Sequence, residues 1–206
     1  MPSLVPRSAP AWLTDPVVNT LAGMGVSPNL LTAAGFAVNG VAAVLCASGE
    51  FSIAGVVMIG GSGLDMFDGA LARATGRATD FGSVFDAVMD RLSEAAVLFG
   101  LLVWFSDRGD RTEELLIFVA VVGSLLVSYV RARAEIIGLR LREGLFTRAE
   151  RVLLLGGGLI VGLLTTALWI LAVLACATAA QRLALVWWKT RGGNEKLGMG
   201  NGDGKR

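Results

Sequence analysis

Apolar residues run along this chain in blocks of about twenty, separated by short breaks of glycine, proline or charge. Helical blocks of that length cross a hydrocarbon layer of ~30 Å. Six are read: residues 30–48, 51–74, 82–105, 115–137, 152–166 and 167–188. The last two share a tight turn placed near Thr165 and Thr166. Ahead of them, Trp12, Leu13, Val17, Val18, Leu21 and Met24 recur at helical spacing over residues 11–25. That recurrence predicts a short amphipathic helix, either lying on the membrane interface or packed on the bundle. Pro28, after Ser27, suits the first turn of the first span. The expected fold class is all-α: an integral membrane bundle of six transmembrane helices over residues 26–190, preceded by the short interfacial helix. Residues 1–10 are set aside as cloning-derived or disordered, because LVPRS at Leu4 to Ser8 resembles part of a protease-cleavage sequence. No basic region followed by an apolar core marks a cleavable signal peptide. Residues 191–206 are rich in glycine and charge without apolar periodicity, and predict a disordered cytoplasmic tail.

Composition agrees with the pattern. At 54% hydrophobic and 17% charged residues over 206, with a mean hydropathy of +0.65, the chain is too apolar for an ordinary soluble domain. Membrane lipid is its expected surrounding, and no nucleic-acid partner is expected. The net charge of +1 conceals an asymmetry. Arg131, Arg133, Arg140, Arg142, Arg148 and Arg151 fall on one side of the six-span topology, whereas the other side has Arg108 and Arg111 balanced by Asp107, Asp110, Glu113 and Glu114. The arginine-rich side is therefore expected to be cytoplasmic, in the cell inner membrane. Trp12, Trp104, Tyr129, Trp187 and Trp188 lie near span ends, as interfacial anchors do. Cys46 and Cys176, in separate spans, are read as packing residues.

Four carboxylates break the apolar pattern: Asp65 and Asp68 in the second span, Asp86 and Asp90 in the third. Each mid-span Asp opposes insertion by roughly 2.5–3.5 kcal/mol, so four unpaired ones would cost about 10 kcal/mol. Residues three or four apart share a helix face, which puts Asp65, Asp68, Gly69 and Ala72 on one stripe and Gly82, Asp86, Asp90 and Glu94 on another. The short connection 74–81 makes an antiparallel hairpin in which the two stripes face each other and the carboxylates converge. Such a cluster needs cations. Arg73 and Arg91 offer some compensation, and an all-oxygen set selects Mg²⁺ or Mn²⁺ over zinc. Two such ions, sharing aspartates, suit a diphosphate undergoing in-line displacement. The chain has no histidine, which removes histidine-dependent triads and leaves an aspartate as general base; Asp90, deepest from the loop, is the choice. The rival from another class is a small proton or cation transporter using the same acids, which has no need of Gly69, Ala72, Arg73 and Gly82 at fixed offsets.

The pattern DMFDGALAR from Asp65 to Arg73, followed by Gly82, Asp86 and Asp90, resembles the signature of the CDP-alcohol phosphotransferases at every fixed position. That resemblance implies transfer of a phosphatidyl group from CDP-diacylglycerol to an alcohol with release of CMP, metal held by Asp65, Asp68, Asp86 and Asp90, and hydroxyl activation by Asp90. It also implies that Asn29, Thr32, Gly69, Arg73, Thr79 and Gly82 border the cytidine and diphosphate. The segments SYVRARAEIIGLR, FTRAERVLLL and AQRL resemble those of bacterial phosphatidylinositol phosphate synthases, although Arg131 stands where that subgroup can carry Lys and Ala149 where it has proline. Arg131, Arg148, Arg151 and Arg182 are read as a pocket for a phosphate on the acceptor, and Arg140 and Arg142 as loop charges. Inositol phosphate is the expected acceptor and glycerol 3-phosphate the alternative. Gly156, Gly157, Gly158 and Gly162 give the fifth span a small-residue face, used within the chain or between chains. A homodimer is expected from the resemblance alone.

Overall fold

The computed structural model describes residues 11–139, 141, 144 and 146–199, and of 11–14 and 192–199 the helical backbone only. Trp12, Arg140 and Arg142 therefore lie outside the described side chains, as do residues 1–10 and 200–206 entirely. Seven helices follow in order: α1 (Ala11–Gly23), α2 (Pro28–Ala47), α3 (Phe51–Ala74), α4 (Asp80–Ser106), α5 (Arg111–Ile136), α6 (Arg148–Val161) and α7 (Leu164–Met199). No strand occurs among the described residues.

Among the described residues four helices are long and apolar enough to cross a membrane: α2, α3, α5 and α7, the last over Leu164–Arg191. The other two expected spans differ for physical reasons. α4 is 27 residues long but carries Asp80, Asp86, Asp90, Arg91 and Glu94. α6 has 14 residues, a rise of about 21 Å. The turn after it falls at Gly162 and Leu163, three residues before the expected place, because Gly162 adopts φ 79° and ends the helix there. Its amide and that of Leu163 both close onto the Gly158 carbonyl, an arrangement that the left-handed conformation of glycine makes available. At the far end α7 continues through Arg191, where a tail was expected to begin, as far as Met199.

Helix starts are set locally. Ser27 caps α2, its hydroxyl accepting from the Leu30 amide at 3.2 Å with Pro28 in the first turn. Thr79 caps α4 by accepting from the Gly82 amide at 3.0 Å, and at α6 the Glu150 carboxylate accepts from the Thr147 amide at 2.6 Å.

α2 is the central strut. Its buried stripe of Leu31, Thr32, Gly35, Asn39, Ala42 and Cys46 faces both α3 and α4, which pack along it while scarcely touching each other. α5 pairs with α7, and α6 lies against α3. The main core, with Met58, Val97, Leu98, Leu101, Ile117, Leu155, Leu159, Leu168 and Leu171, fills the half of the bundle away from the α3–α4 loop. A smaller cluster of Val18, Leu31 and Leu71, flanked by Leu21, Leu64 and Phe67, seats α1 on α2 and α3 beside that loop. Polar side chains are left to gather between the two.

Since hydrocarbon gives no hydrophobic push between helices, close approach through small residues holds the crossings. A Cβ added at Gly55 would stand 2.6 Å from the Gly156 carbonyl oxygen, and one at Gly158 close to Ala167, so the small face of α6 is spent on α3 and α7 of the same chain. At Gly100 an added Cβ would overlap the Ala43 carbonyl of α2. Gly100→Ala is expected to destabilise the fold by about 1–3 kcal/mol through forced separation of α2 and α4. Gly157→Ala, where nothing lies within 4 Å, should be neutral or stabilising; thermal melts of the two purified proteins in one detergent check the contrast.

Candidate active site

The stripe that packs α2 onto α3 also places the first two acids. Thr32 donates its hydroxyl to Asp68 Oδ2 at 2.6 Å, and Asp68 is buried at 5% exposure. One turn further, Gly35 leaves room for the Asp65 carboxylate, whose Oδ1 occupies the position a Cβ would take. No motif marked Gly35 in the sequence. Its only signal is its place one turn beyond Thr32 on the same face.

Asp65 and Asp90 share a cation supplied by the protein. Arg148, at the start of α6, donates Nη2 to Asp65 Oδ2 at 2.6 Å and places Nη1 2.7 Å from Asp90 Oδ1. Arg91 stands 3.5 Å from Asp90 but is committed elsewhere, donating Nη1 to the Ala87 carbonyl at 2.6 Å and Nε to Ser128 at 3.2 Å. Arg73 makes no ion pair with the four acids among the described residues. The compensation expected from Arg73 and Arg91 thus comes mainly from Arg148. The expected close hairpin is also opened: α2 binds both arms, and no three carboxylates among the described residues are grouped tightly enough to hold one ion as placed.

Two of the acids, Asp68 and Asp86, line one cavity, and a second cavity adjoins Asp65 and Asp90 through Arg148. The first, of about 260 Å³, is bordered by Asn29, Thr32, Asp68, Gly69, Arg73, Arg77, Thr79, Gly82 and Asp86. It brings together all six residues expected at the cytidine and diphosphate. At Gly82 an added Cβ would stand 3.1 Å from Thr79 Oγ1 and 3.2 Å from Asn29 Oδ1, so these side chains would have to give by a few tenths of an ångström. The other cavity, about 620 Å³, collects Arg131, Arg148, Arg151 and Arg182 with Arg91, Ser62 and Ser128. Four arginines from α5, α6 and α7 therefore meet in one space. Arg131 also pairs with Glu135 at 3.0 Å, and Arg182 donates Nη1 to the Val127 carbonyl at 2.7 Å.

The family model described as CDP-alcohol phosphatidyltransferase matches residues 25–188, most of the chain. The chain belongs to the CDP-alcohol phosphatidyltransferase family. As a CDP-alcohol phosphatidyltransferase it is an enzyme, and its relatives narrow the type. It is 38% identical over 196 residues to a phosphatidylinositol phosphate synthase of Mycobacteroides abscessus, covering 90% of this chain and 89% of the relative. It is also 38% identical to an archaetidylinositol phosphate synthase of Pyrococcus horikoshii, over 80% of this chain and 85% of that one. Among solved structures it resembles the Mycobacterium tuberculosis phosphatidylinositol phosphate synthase with CDP-DAG bound, at TM-score 0.80 and 34% identity, covering 86% of this chain and 94% of that one. The same enzyme in complex with manganese and citrate superposes at TM-score 0.77 over 84% of this chain and 88% of that one.

The residues present fit a divalent cation. Their donor set is entirely oxygen, without histidine or thiolate, and a cation already stands between two of the carboxylates in the form of the Arg148 guanidinium. Removing it by Arg148→Ala leaves Asp65 without its ion pair and Asp90 with only the more distant Arg91, a cost of up to about 3–5 kcal/mol. The variant is expected to melt well below the parent in chelator, and the gap should narrow when millimolar Mn²⁺ is added. Equal melting in chelator would show that the bridge carries no weight.

Proposed function

We propose that the chain catalyses metal-dependent transfer of the phosphatidyl group of CDP-diacylglycerol to a hydroxyl of inositol phosphate, forming phosphatidylinositol phosphate and CMP. The observation that carries this reading is a pair of dissimilar cavities linked to the acidic residues: Asp68 and Asp86 line one with Asn29, Gly69, Arg73, Thr79 and Gly82, and the other, walled by Arg91, Arg131, Arg148, Arg151 and Arg182, meets Asp65 and Asp90 through Arg148. A nucleotide diphosphate suits the first and an anionic acceptor the second. A neutral polyol has no use for five guanidinium groups along one cavity.

In this reaction the acceptor oxygen bonds to the lipid-side phosphorus, and the bond from that phosphorus to the bridging oxygen breaks. The bridging oxygen leaves with CMP, and the hydroxyl proton passes to the Asp90 carboxylate. Asp65, Asp68, Asp86 and Asp90 would hold the metal, read as two ions of Mg²⁺ or Mn²⁺. When bound, the metal neutralises charge on the diphosphate and the departing phosphate. Thr32 orients Asp68, and Arg73 adds positive charge beside the diphosphate. Arg148, shared by Asp65 and Asp90, stands at the wall of the acceptor cavity, where a phosphate competes with the carboxylates for its N–H groups.

The same reading completes the topology. α4 and α6 join the four apolar helices as the remaining spans, and α1 lies at the interface with its Val18 and Leu21 face against the bundle. The arginine-rich side, with the site, faces the cytoplasm from the inner membrane, and the protein works as a homodimer.

The test supplies detergent-solubilised protein with CDP-diacylglycerol, Mg²⁺ and one acceptor at a time, and follows CMP. Release is expected with inositol phosphate; equal or preferential use of glycerol 3-phosphate would overturn the acceptor assignment. Asp90→Asn is expected to lower kcat by about 10²–10⁴-fold. Proton or cation flux into liposomes without nucleotide, with no CMP formed by the parent protein, would instead indicate a transporter.

A further inference from the structure

A second ion pair lies one turn beyond Asp90. Glu94 and Arg151 are 7% and 4% exposed. Arg151 donates Nε to Glu94 Oε1 at 2.7 Å and Nη2 to Oε2 at 2.9 Å. Ser124 of α5 donates its hydroxyl to the same Oε1 at 2.9 Å. Three helices, α4, α5 and α6, are thereby joined through one carboxylate. None of the signature positions includes Glu94 or Ser124.

A joint between helices does not need these charges, because a buried ion pair rarely stabilises more than apolar side chains of similar volume. The position of Arg151 supplies a better reason. It lines the cavity shared with Arg131, Arg148 and Arg182. A guanidinium has five N–H groups in a rigid fork. Glu94 takes two of them along one edge, which fixes the plane of the group and leaves Nη1 without a hydrogen-bond partner among the described residues.

We propose that Glu94 is a positioning residue that sets preference for a phosphorylated acceptor: it holds Arg151 by one edge so that the opposite edge meets the acceptor phosphate, and Ser124 holds Glu94 in turn. This rests on the acceptor reading above and extends it to side chains that touch no substrate.

The experiment compares parent, Glu94→Gln and Ser124→Ala as full-length proteins in detergent. It measures KM for inositol phosphate, KM for CDP-diacylglycerol, the rate ratio of inositol phosphate to free inositol, and the melting temperature. Glu94→Gln is expected to raise KM for inositol phosphate about tenfold, as loss of a charge-assisted contact does, and to lower the rate ratio, with KM for CDP-diacylglycerol essentially unchanged. Ser124→Ala keeps both charges and should show the same split more weakly, so it carries the test if Glu94→Gln does not accumulate. Equal rises in both KM values, or a lower melting temperature with unchanged acceptor KM, would overturn the proposal and leave Glu94 a structural joint. If the parent uses glycerol 3-phosphate instead, the acceptor reading fails separately. The same split measured with that acceptor still supports the role of Glu94, and its absence still removes it.

Discussion

A charge inside an apolar bundle must have a partner, and this requirement shapes the polar half of the molecule. Asp65, Asp90 and Glu94 are largely withdrawn from solvent, and guanidinium groups from α6 reach across to them. Arg148 serves two carboxylates at once and Arg151 serves one with two parallel hydrogen bonds. Both arginines belong to a helix too short to appear as a span of its own by length. α6 is thus kept in place at one end by charge and at the other by the close crossing of Gly156 on Gly55.

The cavities follow from how α2 is built. Small and polar residues on its inner stripe, Thr32, Gly35 and Asn39, let α3 lie close to it, and Gly100 of α4 does the same against Ala43. With α2 serving both, the two acidic helices need not press on one another. Space remains on either side of the acids: towards the helix starts at Asn29 and Thr79, and towards the arginines of α5, α6 and α7. A tighter α3–α4 hairpin would pair the carboxylates more closely but close the space that substrates of this family require.

Local features were legible in the sequence, and those joining distant segments were not. Helical spacing assigned Asp65 and Asp68, then Asp86, Asp90 and Glu94, to common faces, and the second span coincides with α3 at both ends. The six residues expected near cytidine line one cavity because their signal is local: two helix starts and one helix end. Arg148 was expected to meet an acceptor phosphate, but its pairing with Asp65, 83 positions away, depends on the path of α6. Nor does any spacing rule decide which arginine answers Glu94. The turn at Gly162 was misplaced because two adjacent threonines looked like a break, whereas the left-handed glycine three residues earlier makes it. A purely apolar count also fails for α4, whose acids lower its hydropathy although they are the residues the fold is arranged around.

The position of Arg148 depends on residues well outside the site. Its backbone is fixed by the start of α6, where Glu150 accepts from the Thr147 amide. The depth of α6 is fixed eight residues later, where Gly156 seats against Gly55 of α3. Eight helical residues span about 12 Å, and a helix of this length passes an axial shift along without absorbing it. Asp65 stands on the same α3 that carries Gly55, so the glycine crossing sets the offset between guanidinium and carboxylate as if the two were on one rigid piece. The arginine-lined cavity is therefore registered against the acids by backbone packing, and the ion pairs of Arg148 refine a distance that the glycines have already determined.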